Sequence, residues 1–443
     1  MKQATQHESQ ISAERRTSFS WTRRLLRFGL FAACLAVILT LLAGFWAQGR
    51  LSAAQAAAAE AGIELDPKKL MPPADPNLPN GSYVLGAVAD LLSAGPTDPQ
   101  LEQWKELDLV QAAEDPEQIE DVRQGLTNPT YRLVFETLDL HADVEEANAW
   151  LPGQDWSLRV LQSSYANRRS KLFRLRALLK ARALIRLADG ETTAAYGDAV
   201  HLLRVGRWLQ TESPSLLSWI VGTRMADIGV QLLEELFQIV PPPPEARALI
   251  RAEASLLEEL PVSLGLEGEL AGAHEEMESG LWFRGATGTF VGDTLPGLFL
   301  GWVEDAFSAH WLETGIRLIA EADRPHHERN RFEDVLESKS PLAIPTRMMV
   351  PNYLGSLEKA DLLHLRLGLL DAALRHLEIS EQEGAWPSPN ALDLGPDPFS
   401  GGALKVRRDD GTWLVYSVGV NGMDDGGGED DVFWRLPASD PAA

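Results

Sequence analysis

The densest set of metal-seeking side chains in this 443-residue sequence lies near its end, in Gly419-Val420-Asn421-Gly422-Met423-Asp424-Asp425-Gly426-Gly427-Gly428-Glu429-Asp430-Asp431. Five acids, one Asn and five glycines share these thirteen residues. Carboxylates packed this closely repel one another, and a glycine-rich backbone is costly to order. A hard divalent cation relieves both by drawing side-chain and backbone oxygens inward. Ca2+ suits the segment best, because it accepts roughly 6–8 oxygens in flexible geometry where Mg2+ demands a tight octahedron. The candidate ligands are Asn421, Asp424, Asp425, Asp430 and Asp431, assisted by carbonyls near Val418 and Val420. The segment is not an EF-hand: a twelve-residue loop begun at Asn421 puts Met423 third and Val432 where the bidentate Glu belongs. The competing reading is a solvated acidic turn.

Other chemistry is sparse. The sequence has no Gly-x-Ser-x-Gly elbow, no phosphate loop and no His-Glu-x-x-His. His274-Glu275-Glu276 lacks the second His of a zinc helix, Glu278 standing in its place. His326-His327-Glu328, flanked by Arg324, Pro325, Arg329 and Arg331, reads as an exposed loop, and His141, Asp143, Glu145 and Glu146 as a solvated helix start. No catalytic residue can be named, and the balance leans against an enzyme. A single cysteine excludes an internal disulfide framework and any Cys-based zinc site. With 40 Lys+Arg against 64 Asp+Glu, a net charge of -24 argues against nucleic acid as a partner.

The charge is unevenly spread. Residues 1–50 carry Lys2, Arg15, Arg16, Arg23, Arg24, Arg27 and Arg50 against only Glu8 and Glu14. Residues 28–47, FGLFAACLAVILTLLAGFWA, are uncharged. At about 1.5 Å per residue this run makes about 30 Å of helix, the thickness of a bilayer core. The arginines before it place residues 1–27 in the cytoplasm and the bulk across the membrane. A cleaved signal peptide has a shorter apolar run, although Ser52-Ala53-Ala54-Gln55-Ala56 offers small residues for cleavage. Phe31-Ala32-Ala33-Cys34 only faintly resembles a lipobox, since apolar residues continue after Cys34. Residues 48–81, Ala-rich and then Pro-rich, read as a stalk and spacer.

Residues 82–383 read as a helical body. Leu172, Leu175, Leu179, Ala183 and Leu187 share one helix face, as do Ala195, Ala199, Leu202, Gly206 and Leu209. The turn Ala188-Asp189-Gly190-Glu191 between them predicts an antiparallel, tetratricopeptide-like hairpin, with no clean 34-residue period to extend it. Further helices are expected over 216–239 and 245–260, ended by prolines. Leu281–Leu300, rich in Gly and aromatics, is a buried insertion, an apolar groove or a membrane-facing patch. Leu363, Leu367, Leu370, Leu374 and Leu377 form a narrow stripe on a helix over 357–383, which predicts core packing. In residues 384–437 the pattern changes to strands. Ala403–Arg408 and Thr412–Val418 flank the turn Asp409-Asp410-Gly411, and Val432–Arg435 supplies a third strand. Residues 438–443 are a tail. The expected fold is therefore mainly α, with an N-terminal transmembrane helix, a helical body and a small antiparallel β module.

The segment Gly384–Trp434 and the helix before it resemble the C-terminal half of the major pseudopilin of type II secretion systems. The resemblance rests on Trp386-Pro387, on Asp397-Pro398-Phe399-Ser400-Gly401, and on Tyr416-Ser417-Val418-Gly419-Val420-Asn421-Gly422 leading into Asp430-Asp431-Val432. It implies a structural calcium in the loop, with Asn421 where the family has an Asp and Asp430 and Asp431 near the closing acidic pair. Nothing in 28–47 supplies the Glu that a pseudopilin carries near its mature start, so the resemblance implies a module and not a fibre subunit. The functional expectation is a single-pass protein of a bacterial inner membrane with a periplasmic bulk, a non-enzymatic scaffold for an envelope protein partner. The alternatives are an accessory component of a secretion or pilus-like system and an envelope hydrolase with an acidic cleft.

Overall fold

The computed structural model describes residues 2–70, 74–75, 77–94, 99–145, 147, 171–213, 215–278, 295–322, 324–340, 343–383, 394–409, 412–428 and 431–437. Fifteen α-helices, among these residues, run in the order α1 (Lys2–Glu60), α2 (Pro67–Leu70), α3 (Gly81–Ala94), α4 (Pro99–Lys105), α5 (Leu109–Ala113), α6 (Pro116–Gly125), α7 (Pro129–Leu140), α8 (Arg174–Ala188), α9 (Thr192–Thr211), α10 (Leu216–Ile239), α11 (Pro244–Glu258), α12 (Ser263–Glu278), α13 (Leu295–Ala322), α14 (Glu333–Leu336) and α15 (Ile344–Glu383). A three-stranded antiparallel sheet in the order β1 (Lys405–Asp409), β2 (Thr412–Ser417), β3 (Val432–Pro437) follows. The protein is mainly α with a small β element at its end, as its periodicities predict.

The expected hairpin is α8–α9. Its turn closes through Gly190 N–H to the Leu187 carbonyl (3.0 Å) and Glu191 N–H to the Arg186 carbonyl (2.7 Å). Helix α9 then packs lengthwise on α10. They meet at Gly206 and Gly222, where a methyl group on Gly206 would stand 2.6 Å from the Ala226 backbone nitrogen and one on Gly222 2.4 Å from the Gly206 carbonyl oxygen. No side chain fits there, so the sequence brings two backbones into direct contact. Helix α10 is long and apolar enough to span a membrane, yet 67% of its apolar window is buried. It is the central core helix.

The leucine stripe of α15 is buried, with Leu367 at 0% and Leu370 and Leu374 at 1% exposure. It packs on α10, α11 and β3 as core, which leaves no free stripe for a coiled-coil partner. Val415, Val418, Val432, Trp434 and Leu436 of the C-terminal sheet belong to the same core as α8, α9 and α10. Trp434 stands edge-on to Phe237 at 6.2 Å. The C-terminal β element therefore shares the core of the helical body.

A second core gathers around α13 and the start of α15. It differs from expectation at one place. Residues 48–60 continue α1 without a break, as a helical stalk would, but Ala54 and Ala58 are buried in this second core beside Trp311, Leu312 and Phe332. Ala47 is fully buried too, and Thr40, Ala43 and Gly44 are partly covered on the same face. The small side chains every third or fourth residue let α13 approach closely along α1. Arg50 forms a two-pronged ion pair with Glu313 of α13, Nε lying 3.2 Å from Oε1. Residues 28–39 stay exposed along their apolar length, Phe28 at 72% and Leu41 a turn further at 65%. The segment 281–294 of the expected aromatic patch lies outside the described residues.

Candidate functional site

The C-terminal loop is positioned by β2 and β3. Their register pairs Ser417 with Val432 and Thr412 with Pro437, so the acidic segment is the connection between two paired strands. The β1–β2 register closes on Asp409 opposite Thr412, and residues 410–411 of the expected turn lie outside the described residues.

The loop divides its candidate ligands. Asp431 is buried, 6% exposed, and its Oδ2 accepts from the Gly427 N–H (2.6 Å) and the Gly428 N–H (3.3 Å). Its Oδ1 is buried with no hydrogen-bond partner among the described residues. Asp424 accepts from the Tyr416 hydroxyl (3.1 Å) and the Gly426 N–H (3.1 Å). Burial first, then the Asp424 carboxylate, pushes the Tyr416 hydroxyl above its ordinary pKa; Asp431 adds to this and Arg407 opposes it. Asp424 and Asp431 thus converge on Tyr416. Asn421, Asp424 and Asp425 are exposed, and the Asn421 Oδ1 is occupied by the Met423 N–H (2.8 Å). Asp430 lies outside the described residues. Among the described residues no group of three or more His, Cys, Asp or Glu is placed to hold a metal ion.

Arg407 is a member of this site that the sequence does not announce. A methyl group on Gly426 would lie 3.3 Å from its Nη1, so the guanidinium rests against the loop backbone and supplies positive charge from β1. Asp397 is a second. It is fully buried and receives the Phe399 N–H (3.0 Å), the Ser400 hydroxyl (2.8 Å), the Ser417 hydroxyl (2.7 Å) and the Val418 N–H (3.2 Å). Four donors on one carboxylate tie the segment before β1 to the end of β2, where the acidic loop begins.

The His326-His327 segment is exposed at His327 and Glu328, as its charged flanks suggest, yet it is not a free loop. It forms a 3-10 turn docked on the C-terminal region. The His327 Nδ1 lies 3.0 Å from the Pro398 carbonyl oxygen, and the His326 ring packs on Phe399 at 5.0 Å. Behind it Arg329 and Asp361 form a two-pronged pair, Nη2 to Oδ1 at 2.8 Å. These contacts fasten the turn to the region before β1.

The helical body holds its own charge cluster, from residues that sequence spacing scatters. His141 ends α7 rather than starting a helix, its Nδ1 2.8 Å from the Thr137 carbonyl oxygen, and meets no acid among the described residues. The histidine that does is His201 of α9, its Nε2 3.0 Å from Asp139 Oδ1 and its Nδ1 3.3 Å from Arg204. Asp139 also takes both prongs of Arg182 (2.9 and 3.0 Å). Against burial, which alone would raise it, His201 and Arg182 hold Asp139 well below the usual carboxylate range. Asp198, fully buried, pairs with Arg182 and with Arg186 (2.7 Å). Burial pushes its carboxyl up to about 7 despite both arginines. Glu253 of α11 closes the row, 3.2 Å from Arg204 and 2.6 Å from Arg207. Both His201 nitrogens are engaged and its side chain is 8% exposed, so it offers no free atom to a substrate.

Comparisons with protein-family models, with curated proteins and with solved structures find no match for this chain. Its reading rests on the geometry above.

Proposed function

We propose that the chain is a single-pass protein of a bacterial inner membrane, whose periplasmic helical body serves as a non-enzymatic interaction scaffold. The observation that carries this reading is the continuity of α1. An apolar helix at an N-terminus suits a membrane span or a signal sequence equally. Here, however, the same helix supplies Arg50, Ala54 and Ala58 to the body's second core. Cleavage within Ser52–Ala56 would strip the Arg50 prong from Glu313 and uncover α13, so retention of the helix is the consistent reading. Pairing of Arg50 with Glu313 also offsets the base on the far side of the span. The uncompensated positive charge of Arg23, Arg24 and Arg27 then stands on one side only, which favours a cytoplasmic N-terminus.

Within this reading the C-terminal region is a pseudopilin-like element with a structural Ca2+. The orphaned, buried Asp431 Oδ1 is the feature of the loop that fits a cation, since an unpaired carboxylate oxygen inside a protein is costly. Asp431 would hold the ion with Asp430, while Asn421, Asp424 and Asp425, all exposed, would need to turn inward. The ion would supply charge neutralisation; Asp397 holds the start of the loop and Tyr416 its middle, at Asp424. An accessory role in a secretion or pilus-like system loses its docking surface with the burial of the leucine stripe.

The test is expression of the full chain with a C-terminal tag in a Gram-negative host, followed by alkaline carbonate extraction and intact-mass analysis. The proposal requires an uncut chain that stays with the membrane. A soluble product starting near residue 55 would overturn it.

A further inference from the structure

The C-terminal sheet has two unlike faces. Val415, Trp434 and Leu436 turn to the helical body and join its core. Cross-strand partners share a face, so Arg407 and Leu414, and with them Tyr416, Phe433 and Arg435, lie on the other. That outer face is covered by the acidic loop itself. Leu414 is 1% and Tyr416 7% exposed, yet both lie outside the two cores of the described residues. Gly427 stands so close over Leu414 that a methyl group there would run into Cδ2, and the Tyr416 hydroxyl donates to Asp424 (3.1 Å).

Arg407 lies at the rim of this cover with its fork toward the loop. A methyl group on Gly426 would be 3.3 Å from Nη1, and one on Gly427 3.9 Å from Nη2. Of the other bases on this face, Arg435 stacks on Phe433 at 5.3 Å and acts on Glu234, and Lys405 is exposed one pleat along β1. Asp424 and Asp431 act on the Tyr416 hydroxyl in one direction and Arg407 in the other, which gathers all three around that hydroxyl. Beneath the loop Asp431 is 6% exposed, and its Oδ1 has no hydrogen-bond partner among the described residues. Arg407 is itself exposed, so its guanidinium can swing into water without unfolding the sheet.

We propose, resting on the calcium reading above, that Arg407 is the resident counter-cation of the acidic loop and must leave it for Ca2+ to bind. A guanidinium spreads one charge over a plane and donates along fixed directions, whereas Ca2+ carries two charges and gathers roughly 6–8 oxygens. Two cations repel at this range, so both cannot be served by the same few carboxylates. Asn421, Asp424 and Asp425, which face solvent with Arg407 in place, turn inward only as the guanidinium swings out. Competition from within the chain weakens the site. It sets the affinity in the range of extracytoplasmic calcium modules, about 10⁻⁴–10⁻³ M.

The test is isothermal titration calorimetry of the full chain in detergent micelles with CaCl2, on wild type, Arg407→Gln, Arg407→Lys and Asp431→Asn. Arg407→Gln should bind Ca2+ about 3–30-fold more tightly than wild type. Arg407→Lys keeps a charge and should stay near wild type, and Asp431→Asn should not bind. The melting temperature of Arg407→Gln should fall below wild type in chelator and match or pass it in saturating Ca2+, whereas an arginine that only buttresses the loop would lower both alike. In the wild type, Ca2+ should speed modification of Arg407 by phenylglyoxal, read by peptide mass, a measurement that needs no variant. Equal or weaker Ca2+ binding by Arg407→Gln, or modification that Ca2+ does not speed, overturns the displacement and leaves the calcium reading standing. No Ca2+ binding by either wild type or Arg407→Gln overturns both.

Discussion

The buried row on α9 and the acidic loop between β2 and β3 both gather carboxylates, and they handle them in opposite ways. In the row, Asp139, Asp198 and Glu253 are met by Arg182, Arg186, Arg204 and Arg207, drawn from helices that enclose the cluster on several sides. In the loop, Asp424, Asp425 and Asp431 lean on backbone N–H groups, one tyrosine and the flank of Arg407, and one oxygen of Asp431 is left without a partner among the described residues. The helical body closes its electrostatics from within the chain. Among the described residues the loop meets its carboxylates chiefly with backbone N–H groups and with no opposed guanidinium pair.

The largest effect expected of this contrast is in the body. Glu253→Ala would strand two buried guanidinium groups, Arg204 and Arg207, at a cost of about 3–5 kcal/mol, read as a fall in the denaturation midpoint of the full chain in detergent. If the row were solvated like an ordinary surface, the midpoint would barely move. Next comes Gly427→Ala in the loop. Gly427 has a positive φ of 82°, and a methyl group there would lie 2.3 Å from Leu414 Cδ2. A loss of about 1–3 kcal/mol is expected, seen as exposure of Trp434 fluorescence to quencher before the body unfolds.

A third prediction concerns the seam between the two regions. Glu234 of α10 is pushed up to about 7 by burial, with Arg366, Glu235 and Arg435 as smaller influences. Its folded pKa lies above its unfolded value, so the stability it contributes is complete below about pH 4.5 and is lost as pH rises through 7. Glu234→Gln should therefore raise the unfolding free energy relative to wild type at pH 8, by an amount on the order of 1–2 kcal/mol, and leave it nearly unchanged at pH 5. An equal effect at both pH values would show that the carboxyl is not held protonated. The smallest effect belongs to Arg123 and Asp189, an exposed pair at 2.9 Å. Arg123→Ala should leave the midpoint where it is, because solvent and salt screen such pairs.

Much of this fold is legible in residue spacing. The apolar run at 28–47, the α8–α9 turn at Asp189-Gly190 and the leucines of α15 each encode a local element, and local elements are what periodicity reports. The strands 405–409, 412–417 and 432–437 follow the same rule. The buried row escapes because Asp198, His201 and Arg204 recur at helical spacing and read as a solvated face; only packing of α7, α8 and α11 around α9 buries them. Asp139 meets His201 across 62 residues, a convergence without a sequence signal. The packed end of α1 reads as a stalk for a related reason. Alanines every third or fourth residue suit a free helix and a closely packed one equally, and the partner helix α13 lies far along the chain. In the loop, the acids are visible as a group, but their sorting into buried Asp431 and exposed Asp425 depends on the register of β2 and β3.

The most direct test of the contrast is hydrogen–deuterium exchange of the full chain in detergent, with Ca2+ and with chelator, read peptide by peptide. The account predicts that Ca2+ slows exchange in peptides covering 412–437 and leaves those covering 174–211 unchanged, and that Asp431→Asn abolishes the difference. Exchange in 412–437 that is indifferent to Ca2+, or a Ca2+ response centred on 174–211, would contradict it.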